Sequence, residues 1–118
     1  MKKQFIVKNN YQFEDIIKTG KYRKNKYYVV YNKDNNLKYD RFGISVSKKF
    51  GNAVFRNKYK RKLRSIIDNY RKYYVNQKDY IIILKKEAIN KSYELLEKEF
   101  IALMTNQKKG AQNAKKDK

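Results

Sequence analysis

Between Lys48 and Arg64 the chain carries eight Lys or Arg residues and no acid. The stretch reads Ser47-Lys48-Lys49-Phe50-Gly51-Asn52-Ala53-Val54-Phe55-Arg56-Asn57-Lys58-Tyr59-Lys60-Arg61-Lys62-Leu63-Arg64. Arg can hold a phosphate through two N–H bonds, and Lys meets it as a point charge. A loop that enters a helix through Gly51 and Asn52 adds free N–H groups and the positive end of a dipole, both suited to an anion. Arg56, Lys60, Arg61 and Arg64 then space charge over two turns. A solvated basic face needs acids to relieve repulsion between like charges, and here there are none. The chemistry on offer is phosphate binding.

Hydrolytic chemistry is poorly supplied. The chain has no His and no Cys, so imidazole bases, thiolate nucleophiles, disulfides and the usual zinc ligands are excluded. The 11 acids are scattered. Glu94 and Glu97 can share a helix face, but among Lys91 and Lys98 they read as solvated surface. No catalytic residue and no protein-borne metal site is expected.

These side chains must be positioned by a small fold. A chain of 118 residues has room for one domain. Its formal net charge of +20 points to a polyanionic partner. Ile, Leu, Val and Phe supply 29 residues, above the share typical of disordered chains. No apolar run approaches the ~20 residues of a membrane span, and no signal-peptide core follows the N-terminus. A soluble, cytoplasmic protein with no membrane partner is expected.

The spacing predicts a helix from Asn10 to about Lys18, capped by Asn9 or Asn10, with Phe13, Ile16 and Ile17 on one face. Gly20 suits a left-handed stop. Tyr27 to Tyr31 is rich in β-formers, and Phe42 to Ser47 alternates with period two. That alternation predicts Phe42, Ile44 and Val46 buried, with Gly43, Ser45 and Ser47 on the other face. An antiparallel hairpin is expected between these two strands, with a short extra strand near Tyr22. From Asn52 to about Tyr74, Phe55, Tyr59, Leu63, Ile66, Ile67, Tyr70 and Tyr74 share one helical face. Asn57, Lys60, Arg61, Arg64, Asp68 and Arg71 fall on the opposite side. Asp79 to Leu84 reads as a strand covered on both faces, and Ala88 to Met104 as a last helix. From residue 105 to 118 the chain reads as a frayed, Lys-rich tail beyond a folded domain of residues 1–104. The pattern is an α+β sandwich with helices over a mixed sheet.

The series Ser45-Val46-Ser47-Lys48-Lys49-x-Gly51-Asn52-Ala53-Val54-x-Arg56-Asn57-x-x-Lys60-Arg61-x-x-Arg64 resembles the signature of the bacterial ribonuclease P protein subunit. Phe13 to Gly20 is similar to that family's first helix and its stop, and Lys78 to Ile83 to its last strand. The resemblance therefore spans the folded region. It implies an α-β-β-β-α-β-α order like ribosomal protein S5 domain 2, with a left-handed crossover. It also implies two partners, a catalytic RNA and precursor tRNA, with no small-molecule cofactor. The RNA cleaves the 5′ leader using Mg²⁺ held mainly by itself and the substrate, and the protein alone is inactive.

By the same resemblance, Lys48, Arg56, Asn57, Lys60, Arg61 and Arg64 contact the catalytic RNA. Phe13, Ile17, Tyr31, Ser45 and Lys49 line a cleft for the leader. Ile17 stands where an aromatic is common, and Lys58 and Lys62 where Arg is frequent. Two other readings fit the composition. A small ribosomal protein with a structural rRNA-binding role would be equally basic. A DNA-binding domain would need a short helix and turn ahead of the Asn52 helix to dock it, and none is present.

Overall fold

Asn9 starts the first helix by accepting the Gln12 N–H on its side-chain oxygen at 2.9 Å. In the computed structural model, which describes residues 2–7 and 9–105, helix α1 runs over Asn10–Thr19. The chain continues through strands β1 (Lys21–Lys24), β2 (Tyr28–Asp34) and β3 (Arg41–Val46), then helix α2 (Ala53–Arg71). Strand β4 (Lys78–Leu84) and helix α3 (Tyr93–Thr105) complete it, giving the expected α-β-β-β-α-β-α order. Short 3₁₀ turns lie at Lys3–Phe5, Lys48–Phe50 and Lys86–Ala88. The tail expectation, apart from Thr105 at the end of α3, lies outside the described residues.

The sheet order is β1-β2-β4-β3. This corrects the expected hairpin: β2 pairs with β1 and β4, both antiparallel, and β3 pairs with β4 in parallel. The run from Asp79 to Leu84 is apolar on both faces because β4 is inserted between β2 and β3. Ile81 and Ile82 are both fully buried, one on each face. The outer edge of β3 is partly covered by the N-terminal segment, where the Val7 N–H donates to the Phe42 carbonyl at 3.0 Å.

One face of the sheet carries the main core. Tyr28, Val30, Phe42, Val46, Tyr80, Ile82 and Leu84 meet Tyr59, Leu63, Ile66, Ile67 and Tyr70 of α2 and Leu96, Phe100 and Leu103 of α3. Each such side chain contributes about 1.5–3 kcal/mol when fully buried. Polar anchors fix α3: the Tyr28 hydroxyl donates to the Leu96 carbonyl at 2.8 Å, and Asn25 Nδ2 donates to the Glu99 carbonyl at 3.2 Å. The other face carries a smaller cluster of Val7, Ile16 and Ile81 with Phe13, Tyr31 and Ile83 against it.

Three boundaries differ from expectation. Gly20 is extended, with φ −83° and ψ 170°. Its function is close approach, since a Cβ there would lie 2.5 Å from both the Asn32 and Ile16 carbonyl oxygens. Helix α2 ends at Arg71, and Tyr74 lies beyond it, 41% exposed and stacked on Tyr70 at 4.8 Å. Helix α3 starts at Tyr93 because Asn90 takes a left-handed φ of 65° and Ser92 caps the helix, its hydroxyl accepting the Leu95 N–H.

Candidate nucleic-acid interface

The basic stretch forms a turn and a helix, as its residue types require. Beyond β3, the Ser47 hydroxyl accepts the Lys49 N–H at 3.0 Å and starts the Lys48–Phe50 turn. Phe50 anchors the turn in the core, edge-on to Tyr59 at 5.1 Å. Gly51 closes it at φ 130°, a conformation that L side chains rarely adopt. Asn52 then caps α2 by accepting the Phe55 N–H at 3.0 Å.

Along α2, Asn57, Arg61 and Arg64 are exposed, as are Lys48 and Lys49 in the turn. Lys60 and Arg71, expected on the open side, are half-buried on the flank of the packed stripe, and Asp68, partly buried, stays on the open side one turn beyond Arg64. Arg71 is committed elsewhere, with its guanidinium 3.7 Å above the Phe5 ring and paired with Asp68. Arg56 is half-buried, and its Nε has no hydrogen-bond partner among the described residues. On the other flank, the Lys62 ammonium stands over the Tyr59 ring at 4.9 Å.

Most ion-paired acids lie away from this ridge; Asp68, one turn beyond Arg64 on α2, pairs with Arg71. Asp15 pairs with Lys33, Asp79 with Arg41 and Asp34 with Lys78. None of these ion pairs engages Lys48, Lys49, Lys60, Arg61 or Arg64. The ridge therefore keeps its positive field, and the helix N-terminus at Asn52 adds to it.

The second sheet face forms a cleft beside α1. Register places Tyr31, Ile81 and Gly43 in one row and Val29, Ile83 and Ser45 in the next. Helix α1 covers the first row. A Cβ on Gly43 would lie 2.5 Å from Phe13 Cζ and 2.9 Å from Ile81 Cδ1, so this glycine makes room for the aromatic ring. The sequence placed Gly43 on an open face, but it is buried under Phe13. The open floor is the second row, where Val29, Ile83 and Ser45 are all half-buried. Ile17 lies on the exposed side of α1, at 39% exposure. Thus Phe13 and Tyr31 share one cluster, Ser45 lies one row away, and Lys49 is exposed just past the end of the strand that carries Ser45.

Val29, Ile83 and Tyr22, whose ring lies 5.5 Å from that of Tyr31, were not singled out by sequence reasoning. The signal was strand parity: Val29 shares a face with Tyr31, and register carries that face to Ile83 and Tyr22.

A resident Mg²⁺ does not suit this donor set. Mg²⁺ wants hard oxygen ligands in near-octahedral array. Among the described residues no three acids come together, and Asp15, Asp34 and Asp79 each pair with a cation. Glu97, a candidate on α3, accepts a hydrogen bond from Asn69 Nδ2 at 2.8 Å.

Fold and site define a small basic α+β protein with a cationic ridge, whose Lys48, Lys49, Lys60, Arg61 and Arg64 enter none of the ion pairs seen among the described residues, beside an apolar-floored cleft. The ribonuclease P family model matches residues 1–108. The chain is 41% identical over 105 residues to the ribonuclease P protein component of Mycoplasma mycoides, covering 88% of this chain and 96% of that one. It is 39% identical over 104 residues to that of Streptococcus pneumoniae, covering 88% and 85%. Among solved structures, the Staphylococcus aureus RNase P protein superposes with a TM-score of 0.80 at 34% identity, covering 88% of this chain and 95% of that one. The Thermotoga maritima RNase P protein gives 0.79 at 29% identity, covering 85% and 94%.

The chain belongs to the ribonuclease P protein family. Membership implies a role in the ribonuclease P holoenzyme, with an RNA subunit as partner and tRNA processing as the task. The ribosomal-protein alternative is not favoured.

Proposed function

We propose that this chain binds the catalytic RNA of ribonuclease P through the α2 ridge and holds the 5′ leader of precursor tRNA in the cleft. The work is electrostatic and geometric. Arg61 and Arg64 present exposed guanidinium forks to RNA phosphates, with Lys48 and Lys60 as point charges and Asn57 as a neutral hydrogen-bonding group. Arg56 stands half-buried at the ridge's inner edge and adds a further guanidinium charge. In the cleft, Phe13, Ile17 and Tyr31 offer apolar contact to unpaired bases, Ser45 keeps the floor shallow, and Lys49 meets the phosphates.

By this reading the endonucleolytic step belongs to the RNA, which supplies Mg²⁺, and the protein contributes no catalytic group. It neutralises repulsion between two RNAs and keeps the leader extended. The cytoplasm, where precursor tRNA is made in bacteria, is its place of action. Among the described residues no helix is long and apolar enough to cross a membrane. The Lys-rich sequence that follows α3 adds positive charge.

The observation that carries this reading is the segregation of charge: cations paired with Asp15, Asp34 and Asp79 away from the ridge, while none of the ion pairs seen among the described residues engages Lys48, Lys49, Lys60, Arg61 or Arg64. The test replaces Arg61→Ala together with Arg64→Ala. Both side chains are exposed, so thermal unfolding should be unchanged while affinity for the catalytic RNA falls well over tenfold. Affinity within about twofold of the parent would refute the assignment of the ridge. Recovery of stoichiometric ribosomal RNA with the protein from cell extract would favour the ribosomal alternative instead.

A further inference from the structure

Tyr22 has no part in the reading above. It lies on β1, the edge strand, in register with Tyr31. Its surface is 59% exposed, and it belongs to neither core cluster. A lone exposed Tyr would need no explanation, but this one is aligned with the cleft. Its ring centroid stands 5.5 Å from that of Tyr31 with the planes at 41°. The two rings are thus not stacked on each other; they form a bent platform with separate faces.

Side chains alternate along a strand, so Lys24 emerges on the same face as Tyr22. Lys24 is exposed and pairs in register with Val29, which continues the open row through Ile83 to Ser45. The cleft floor therefore runs past Tyr31 onto β1 and ends in an aromatic ring with an ammonium nearby. A ring face and a cation side by side suit a nucleotide, with the base on the ring and the phosphate at the cation.

The geometry points to Tyr22, together with Lys24, as a further stacking subsite for an unpaired nucleobase, one position beyond the base held at Tyr31. This rests on the proposal that the cleft holds the leader. It also accounts for a ring on β1 in a chain whose α1 presents Ile17: the aliphatic side chain on the helix supplies contact but no stacking surface, and the strand supplies the ring.

The test uses holoenzyme reconstituted with the catalytic RNA and precursor tRNAs with leaders of graded length. Tyr22→Ala should weaken binding of long-leader substrate about fivefold, near the lower end of what one stacked base contributes. The loss should vanish once the leader is trimmed to the nucleotides next to the cleavage site, and Tyr22→Phe should bind like the parent. Affinity for the catalytic RNA should not change. If the parent favours long leaders and Tyr22→Ala matches it at every length, the Tyr22 subsite is wrong and the cleft reading stands. A loss equal for long and trimmed leaders also overturns the subsite. If the parent itself shows no dependence on leader length, the cleft reading fails and the subsite fails with it.

Discussion

Gly43 makes room for the Phe13 ring, and the ring in turn seats α1 on the sheet. Adding one methyl group places a carbon 2.5 Å from Phe13 Cζ, a distance that real Cβ contacts do not tolerate. Gly43→Ala is therefore predicted to cost about 1–3 kcal/mol, the usual range for an overpacked core, measured by denaturant unfolding. By displacing Phe13 it should also weaken binding of leader-bearing substrate while leaving affinity for the catalytic RNA unchanged. Sequence reasoning placed Gly43 and Ser45 together on an open face because both are small. Only the three-dimensional path of α1 separates them, with Gly43 under a ring and Ser45 in the open row. Gly20 carries the same lesson. Glycine is selected both for left-handed backbone and for absence of a Cβ, and the letter alone does not say which. Close approach to the Asn32 and Ile16 carbonyls decides it.

At the level of elements, α2 was the most legible part, since a long amphipathic period with an Asn cap needs no partner to be recognised. The Asp79 to Leu84 run was legible as a strand covered on both faces. Its place between β2 and β3 was not, because that pairing joins segments far apart in sequence. Nearness along the chain suggested a β2–β3 hairpin, and the insertion of β4 replaced it.

The same packing buries phenols. Burial pushes the Tyr28, Tyr80 and Tyr70 hydroxyls above the ordinary tyrosine value, Tyr28 and Tyr80 the furthest. Tyr28 is bonded to the Leu96 carbonyl on α3, and Asn76 Nδ2 donates to the hydroxyls of both Tyr70 and Tyr80. The unfolded chain loses these protons near pH 10 while the folded chain keeps them, so the folded state binds more protons above that pH. Stability is predicted to be complete below about pH 10 and to fall as pH rises, by about 1.4 kcal/mol per pH unit for each of Tyr28 and Tyr80 while that phenol stays protonated in the fold. Thermal melts across that range would show it, and Tyr28→Phe should shallow the slope by one group's share.

For the whole molecule, the decisive property is where its charge lies. A net +20 spread evenly would give general affinity for any polyanion. Here the acids neutralise cations beside α1 and at the end of the sheet that carries Asp34, Arg41, Lys78 and Asp79, and none of the ion pairs seen among the described residues engages Lys48, Lys49, Lys60, Arg61 or Arg64. If the ridge and its flanks meet about eight phosphates, log K for the catalytic RNA falls by roughly 0.7–0.9 per contact for each log unit of salt. Arg61→Ala plus Arg64→Ala should reduce that slope by about two contacts' worth, read from binding isotherms over a salt series.

The central claim is that the polypeptide positions RNA and that the RNA does the cutting. Its most direct test is cleavage of a precursor tRNA at low Mg²⁺ by the catalytic RNA alone, by the nucleotide-free protein alone, and by both together. The account predicts leader removal only when both are present. Leader removal by the protein alone, or no gain when it joins the RNA, would contradict it.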